Sequence, residues 1–313
     1  MALPDVPLLR HGCRTTFLVL AVLALVAPGC GAGPGQEAGN VQLLVTEGFG
    51  EAELLRVPAP ERGDGDSIVD LLRANAKVEL DGDTVVGVRG KAAADDSGWF
   101  AYVNGVAPDE APAKTDLEDG ARIWWDLHRR GIPVRAVVGA YPEPFRTGLE
   151  GRRFPLRIEC SDVQSKACDQ VAAAFSKLGI VAARGGLGTT AGEETLRVLV
   201  GRWSKLRSRD EVAESLAGRP GASGVFAQFA DGGRTLVTFD AAGRPVQRLG
   251  AGTGLVAAGR IEHYGPTWLV TGTDDAGVDS AVLALDESAL DSKFALAVSE
   301  NRGIALPENP GTG

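Results

Sequence analysis

The chain has 313 residues, of which 44% are hydrophobic and 23% charged, and its formal net charge is −9. This length is enough for two ordinary domains, and the composition is that of a globular protein, which excludes an intrinsically disordered chain. A net acidic protein does not attract nucleic acid or anionic lipid headgroups over long range, so we expect no nucleic-acid partner.

The first 29 residues have the features of a secretory signal peptide. Two arginines precede an apolar run, 17–27, that is short for a membrane span. Cys30 then follows Ala27-Pro28-Gly29, which resembles a bacterial lipobox with Ala27 in place of the usual leucine. The alternatives are an ordinary signal peptide cleaved near this point and a lipoprotein. The flexible segment 30–40 favours the lipoprotein, so we predict an extracytoplasmic protein anchored to the cell membrane by a lipid at Cys30.

Two cysteines, Cys160 and Cys168, remain once the signal peptide and Cys30 are set aside. An even number in an oxidising compartment favours a disulfide, and the alternative is two free buried thiols. Their spacing is not the Cys-x-x-Cys of redox and zinc sites, so we expect neither redox nor zinc chemistry.

Residues 41–128 show the pattern of a first domain with strands around one helix. Strands are predicted at 41–46, 54–57, 78–80 and 84–88, and the helix at 67–76 with Asp66 or Ser67 as its N-cap. This order predicts one mixed sheet covered by one helix.

Two aromatic strands, 99–103 and 121–127, complete the first domain. Their alternation places Trp99, Ile123 and Trp125 toward the core. Phe100, Tyr102 and Trp124 then share the opposite face. Three aromatic side chains on one outer face predict a contact site, whose partner is the second domain, another protein or a flat ligand.

The same strands carry a family resemblance, in Gly98-Trp99, Tyr102-Val103-Asn104-Gly105 and the run 120–124. Residues 41–128 resemble the transcobalamin-like C-terminal domain family, a domain of unknown function in bacterial surface proteins. Family members usually have an acid where this chain has Ala121. The resemblance implies a β-grasp-like fold. It also implies binding of a cobalamin-like or other small molecule, although this chain lacks the large helical domain of the animal vitamin B12 carriers.

The remainder is predicted to be a Pro-rich ordered connector, 129–155, and a second domain, 156–306. The second domain alternates strands and helices, which predicts a three-layer sheet with some antiparallel strands. Its strands are predicted at 156–160, 196–200, 225–229, 236–239, 246–249, 268–271 and 294–298, and its helices at 168–178, 210–216 and 275–285. The fold class is therefore α+β: a β-grasp-like N-terminal domain followed by a mixed α/β three-layer domain.

Few residues point to chemistry. His128 and His263 each lack a second histidine at ligand spacing, and we expect them to be solvated or to cap helices. Thr271, Thr273 and Asp274 end a buried strand and open a helix, so they either bind a ligand or cap that helix. We find no catalytic constellation, and we expect neither an enzyme nor a bound metal or cofactor.

The sequence thus favours a non-catalytic ligand-binding protein of the cell envelope that serves uptake, with an uptake system as its partner. A structural or protein-interaction module of the envelope is the alternative. We place the ligand between the two domains. The predicted site residues are Phe100, Tyr102, Trp124, Thr271, Thr273 and Asp274.

Overall fold

The computed structural model describes residues 40–188, 192, 194–219, 223–261 and 264–309. All of these residues belong to one compact unit. The predicted signal peptide, Cys30 and His263 lie outside the described residues, as does the tether except for Asn40. Within the described part, no helix is long and apolar enough to cross a membrane.

Strands and helices occur together throughout the described chain, which confirms the α+β class. The strands are β1 (Gln42–Glu47), β2 (Ala52–Val57), β3 (Val78–Asp81), β4 (Thr84–Val88), β5 (Lys91–Ala92), β6 (Ser97–Val103), β7 (Arg122–Arg129), β8 (Leu156–Cys160), β9 (Ala182–Gly186), β10 (Leu196–Arg202), β11 (Ala227–Ala230), β12 (Thr235–Phe239), β13 (Pro245–Leu249), β14 (Gly254–Gly259), β15 (Thr267–Gly272), β16 (Ala295–Ser299) and β17 (Arg302–Leu306). The helices are α1 (Ile68–Asn75), α2 (Lys166–Lys177), α3 (Trp203–Leu206), α4 (Glu211–Ala217), α5 (Asp275–Leu283) and α6 (Glu287–Leu290).

The first sheet has four strands in the order β2-β1-β7-β6, and β1 pairs parallel with β7. Helix α1 begins after Ser67, whose hydroxyl accepts a hydrogen bond from the backbone N–H of Asp70 while the Asp70 carboxylate returns to Ser67. This capping box satisfies N–H groups that have no partner inside the helix. Trp99 and Trp125 share one buried cluster with α1, as the alternation of the two aromatic strands predicted.

The hairpin of β3 and β4 corrects one expectation, because it does not join the first sheet. With β5 it forms a separate three-stranded sheet. Val85 and Val88 are buried in the same cluster as α1, whereas β3 is largely exposed. Burial of one apolar face against the helix is enough to hold such a hairpin, and backbone pairing with the main sheet is not required.

The second sheet has seven strands in the order β17-β16-β14-β15-β10-β8-β9. Strands β9, β8, β10 and β15 run parallel, and β14, β16 and β17 pair antiparallel. Val198 and Val200 of β10 pack with α2 and α5 on one face. Leu199 packs on the other face with α3, α4 and the separate sheet β11-β12-β13. Both faces are therefore covered, as a nearly all-apolar strand indicates.

Two strands of this sheet, β14 and β17, were missed by the sequence reasoning. The segment of β14 follows Gly252 and contains small residues, a composition that does not distinguish a strand from a loop. The predicted strand at 294–298 is present as β16, but no strand was predicted after it. Strand β17 follows it after a two-residue turn at Glu300 and Asn301.

The connector packs between the two sheets. The backbone N–H of Val137 donates to the carbonyl of Gly105 (2.8 Å), and that of Val138 donates to the carbonyl of Phe294 (3.2 Å). Val137 and Val138 are fully buried, in different clusters. These hydrogen bonds and the burial of both valines fix this part of the connector against both sheets.

Cys160 at the end of β8 is joined to Cys168 in α2 by a disulfide, which confirms the predicted pairing. In the chain-entropy account, a loop this short stabilises the fold by about 2–3 kcal/mol. We expect Cys160→Ala/Cys168→Ala to lower the free energy of unfolding by that amount in urea denaturation. Titration of two free thiols in protein from an oxidising compartment would contradict the disulfide.

Candidate functional site

The aromatic face of β6 and β7 is buried rather than open. Tyr102 and Trp124 are 1% and 2% exposed. Both rings contact Phe294, which precedes β16, at centroid distances of 5.6 and 5.0 Å. The partner of this face in the structure is therefore another part of the same chain. Neither ring is accessible to a flat ligand at this position.

The ring of Trp124 is fitted closely into this contact. A Cβ atom added at Gly139 would lie 2.8 Å from the Trp124 ring, and one added at Gly50 would lie 3.1 Å from it. The indole N–H donates to the Thr46 hydroxyl at 2.7 Å. Glycine at these two positions therefore leaves the space that the indole fills.

A buried polar network lies beside these rings and is centred on Asp126. Its carboxylate accepts hydrogen bonds from the Thr46 hydroxyl (2.5 Å) and from the backbone N–H groups of Phe49 (3.0 Å) and Gly50 (2.9 Å). The Asp126 side chain is fully buried. Such a carboxylate is tolerated because fixed donors replace its water shell.

His128 belongs to the same network, so the expectation that it is solvated or caps a helix is wrong. It is 4% exposed, and its Nδ1 lies 2.8 Å from an Asp126 oxygen. Its ring stacks between Phe49 and Phe100, at centroid distances of 4.4 and 4.1 Å. The β-strand period places His128 on the face of Trp124 and Asp126, a signal present in the sequence.

Tyr102 is in a similarly dry position. Burial raises the pKa of its phenol well above the usual value, and the nearby Asp126 charge raises it further. The phenol therefore stays neutral at physiological pH. Its contribution is packing, not ionisation.

Thr271, Thr273 and Asp274 make internal hydrogen bonds. The Thr271 hydroxyl donates to the carbonyl of Gly201 (2.7 Å). The Asp274 carboxylate accepts from the N–H of Gly277 (2.8 Å), and it is the N-cap of α5. The Thr273 hydroxyl donates to the carbonyl of residue 250 at 3.2 Å. The capping alternative is thus the one observed for Asp274.

The structure separates these three residues from the aromatic ones, which corrects the single predicted site. Gly272 pairs with Gly254, which pairs with Val298 at the far end of β16. Phe294 precedes the other end of β16, four residues away from Val298. At about 3.3 Å per strand residue, four residues of β16 correspond to roughly 13 Å. This is the separation, along β16, between the level of Gly272 and that of Phe294.

A buried ion cluster was not anticipated. Arg197 of β10 is 3% exposed and donates to both Glu159 oxygens (3.2 and 3.0 Å) and to Asp210. Burial lowers the pKa of the Arg197 guanidinium, but its hydrogen bonds to Glu159 and Asp210 outweigh this and raise the pKa overall. A charged residue inside an otherwise apolar strand is the signal that predicts buried partners.

The open feature of this region is a recess that we call the edge groove. It lies between β17, the loop 48–51, the turn at 240–244 and the segment 283–293, and its volume is about 1280 Å³. Phe49 and Gly50 line it, so it adjoins the network around Asp126. None of the six predicted site residues lines the groove.

No group of three or more His, Cys, Asp or Glu side chains in the described ranges is arranged to hold a metal ion. Exposed backbone of β17, apolar side chains and charged side chains line the groove.

Comparison with known proteins identifies one segment of the chain. Residues 65–129 match the family described as domain of unknown function (DUF4430), which confirms the family resemblance of this segment. No curated protein matches the chain. A similar solved structure is that of a "putative metal binding protein" from Ruminococcus gnavus, with 15% identity and a TM-score of 0.24. The match covers 29% of this chain and 97% of that one.

Proposed function

We propose that the protein is a non-catalytic binding protein of the bacterial cell envelope, anchored by a lipid at Cys30, and that its ligand occupies the edge groove. The observation that carries this proposal is the groove itself, an open recess of about 1280 Å³ beside a sheet edge. The polar side chains buried next to it bond to each other and stabilise its wall. Ligand sites in proteins are typically concave surfaces of this kind.

Binding of a small molecule, cobalamin-like or other, for uptake remains the function that the family resemblance supports. In the structure Phe294 occupies the aromatic face, so we assign ligand binding to the groove. Native purification followed by mass spectrometry of retained molecules tests this function. A retained molecule that Leu283→Glu, in the groove lining, releases would support it. Retention that this variant leaves unchanged would contradict the assignment to the groove.

Lipid attachment predicts a specific loss. We expect Cys30→Ala to release the protein from the membrane fraction into the soluble fraction, because no acyl chain can then be attached at this position. Fractionation followed by immunoblotting measures this. Cys13→Ala, which removes the other cysteine of the first 30 residues, is the matched control and should leave fractionation unchanged. Membrane retention of Cys30→Ala would contradict the anchor.

A further inference from the structure

We propose that the wall of the edge groove conceals a binding slot for a small arylalkylamine, a ligand in which two carbon atoms separate an aromatic ring from an ammonium group. In the structure the side chain of Phe49 fills this slot. The inference rests on the proposed function, since the slot opens onto the edge groove, and it names the chemical class of the ligand.

The ring of Phe49 separates the edge groove from a set of aromatic side chains behind it. Phe49 lines the groove, whereas His128, Phe226 and Phe294 do not. The Phe49 ring stacks on the His128 ring at 4.4 Å. It meets the rings of Phe226 and Phe294 edge to face, both at 5.1 Å between centroids. Displacing one phenyl ring would therefore leave a slot of phenyl size that is lined by three rings and open to the groove, a geometry that favours an aromatic ligand.

The backbone that carries this ring is strained and has a flexible residue on each side. Phe49 has a φ of 62°, in the left-handed region that bulky residues rarely adopt. Gly48 and Gly50 also have positive φ, 72° and 82°, and glycine changes conformation at little steric cost. Strain of this kind persists only where surrounding contacts hold it, and it concentrates at segments that bind ligands or switch. A ligand that replaced those contacts would release the strain.

The Asp126 carboxylate is the polar contact that holds the strained segment in place. It accepts hydrogen bonds from the backbone N–H groups of Phe49 (3.0 Å) and Gly50 (2.9 Å). Its side chain is fully buried. Displacement of the segment would deprive this buried carboxylate of two donors, which is unfavourable unless other donors replace them. An ammonium group supplies three donors and a compensating charge.

Phe49 itself gives the spacing of the ligand. Its backbone nitrogen is joined to its phenyl ring through Cα and Cβ, which is the skeleton of 2-phenylethylamine. That amine would place its ring in the slot and its ammonium group at Asp126, where Phe49 now has its own ring and N–H. A ligand carboxylate in the same position would face the Asp126 carboxylate, which excludes acidic ligands.

The charges of the groove lining favour a cationic ligand. The three arginines that line the groove are each ion-paired: Arg129 with Asp96, Arg244 with Asp240 and Arg302 with Glu300. The other charged side chains of the lining are Lys293, Glu51 and Glu308. With the ion pairs set aside, one basic and two acidic side chains remain, so a cation that enters through the groove meets net negative charge.

The binding test uses the full chain in detergent and isothermal titration calorimetry with 2-phenylethylamine at neutral pH. We expect saturable binding. The uncharged analogue 2-phenylethanol should bind at least about tenfold more weakly, because it lacks the charge that Asp126 attracts. Ethylamine, which has no ring, should not bind measurably. Asp126→Asn should abolish the preference for the amine over the alcohol, since it removes the negative charge from the slot.

Hydrogen exchange shows whether the ligand displaces the Phe49 segment. In the free protein the N–H groups of Phe49 and Gly50 are bonded to Asp126. A ligand that takes their place should raise the exchange rate of these two amides, whereas a ligand bound elsewhere would leave the rate unchanged or lower it. Mass spectrometry of the segment 48–51 measures this rate. The amides of β1 are the internal reference and should not change.

Phe49→Ala removes the competing ring and keeps the backbone. We expect it to bind 2-phenylethylamine at least about tenfold more tightly than the wild type, because the closed state then competes less with the ligand. The matched control is Phe145→Ala, which truncates a similarly buried phenylalanine (8% exposed, against 9% for Phe49) in another cluster outside the groove. This control should leave the affinity unchanged. Phe49→Leu, with a smaller and non-aromatic side chain, should shift the affinity in the same direction as Phe49→Ala and keeps the test valid should that variant fail to fold.

Each outcome decides between explanations, once circular dichroism has verified the fold of every variant. Saturable binding by the wild type with faster exchange at 48–51 supports the inference. Binding by Phe49→Ala without binding by the wild type overturns it, because the slot then never opens. Equal binding of the amine and the alcohol, or exchange that does not rise, also overturns it. A retained molecule of other chemistry that Leu283→Glu releases, without amine binding, overturns it and leaves the proposed function standing. Absence of both overturns both.

Discussion

Replacing Trp124 by alanine is expected to lower the free energy of unfolding by about 3–5 kcal/mol, the range for truncation of a buried aromatic side chain. Trp124 is 2% exposed and packs on Phe294 at 5.0 Å. Truncation also removes the indole N–H, which donates a hydrogen bond to the Thr46 hydroxyl. The cavity cannot close easily, because Gly50 and Gly139 have no side chains to fill it. Urea denaturation measures the loss.

Trp124→Phe is the matched control, since it retains most of the ring and loses only the indole N–H and some volume. We expect it to cost about 1–2 kcal/mol. A Trp124→Ala protein as stable as the wild type would show that the ring does not hold the two sheets together. If that variant also bound every tested ligand normally, Trp124 would have neither a structural role nor a binding role.

The strands and helix of the first domain could be predicted because their signals are local. Alternation placed Trp99 and Trp125 on the core face and Tyr102 and Trp124 on the other face, and the structure agrees. Ser67 followed by Asp70 marks the helix start in the sequence and caps it in the structure. Whether the sheet and helix form a β-grasp fold stays a prediction from the family resemblance.

The partner of the aromatic face could not be predicted, since it depends on a contact between distant parts of the chain. Phe294 lies 170 positions after Trp124, and no periodicity links the two. The same holds for Phe49, whose ring stacks on His128. Packing between layers is a property of the assembled fold. For this reason the sequence could not show that the aromatic residues and Thr271, Thr273 and Asp274 lie apart.

The edge groove escaped prediction for a different reason. It depends on β17, and the segment of β17 contains Gly303 and is followed by Pro307, residues that usually indicate a loop. Glu300 and Asn301 adopt the positive φ that hairpin turns require, yet glutamate is an unusual residue there. Because β17 was not predicted, the sequence indicated neither the sheet edge nor the exposed leucine beside it.

The second large effect is expected for Arg197→Met. Arg197 is 3% exposed and lies between Glu159, which is fully buried, and Asp210, which is 9% exposed. Removing it leaves two carboxylates without their main partner, although Arg157 remains near Glu159 at 3.6 Å. Breaking one side of a buried ion cluster costs about 3–5 kcal/mol, because the remaining charges stay desolvated. Urea denaturation at neutral pH measures this loss.

The matched control is Arg202→Met, in the same strand. Arg202 pairs with Asp275 at the surface, where the side chains are 42% and 75% exposed, so we expect a loss below about 1 kcal/mol. The triple change Arg197→Met/Glu159→Leu/Asp210→Asn also removes the two buried carboxylates. It should recover most of the stability, because the cost of the single change comes from burying charge without a partner. A loss below about 1 kcal/mol for Arg197→Met, or a triple variant no more stable than the single one, would refute this account of the cluster.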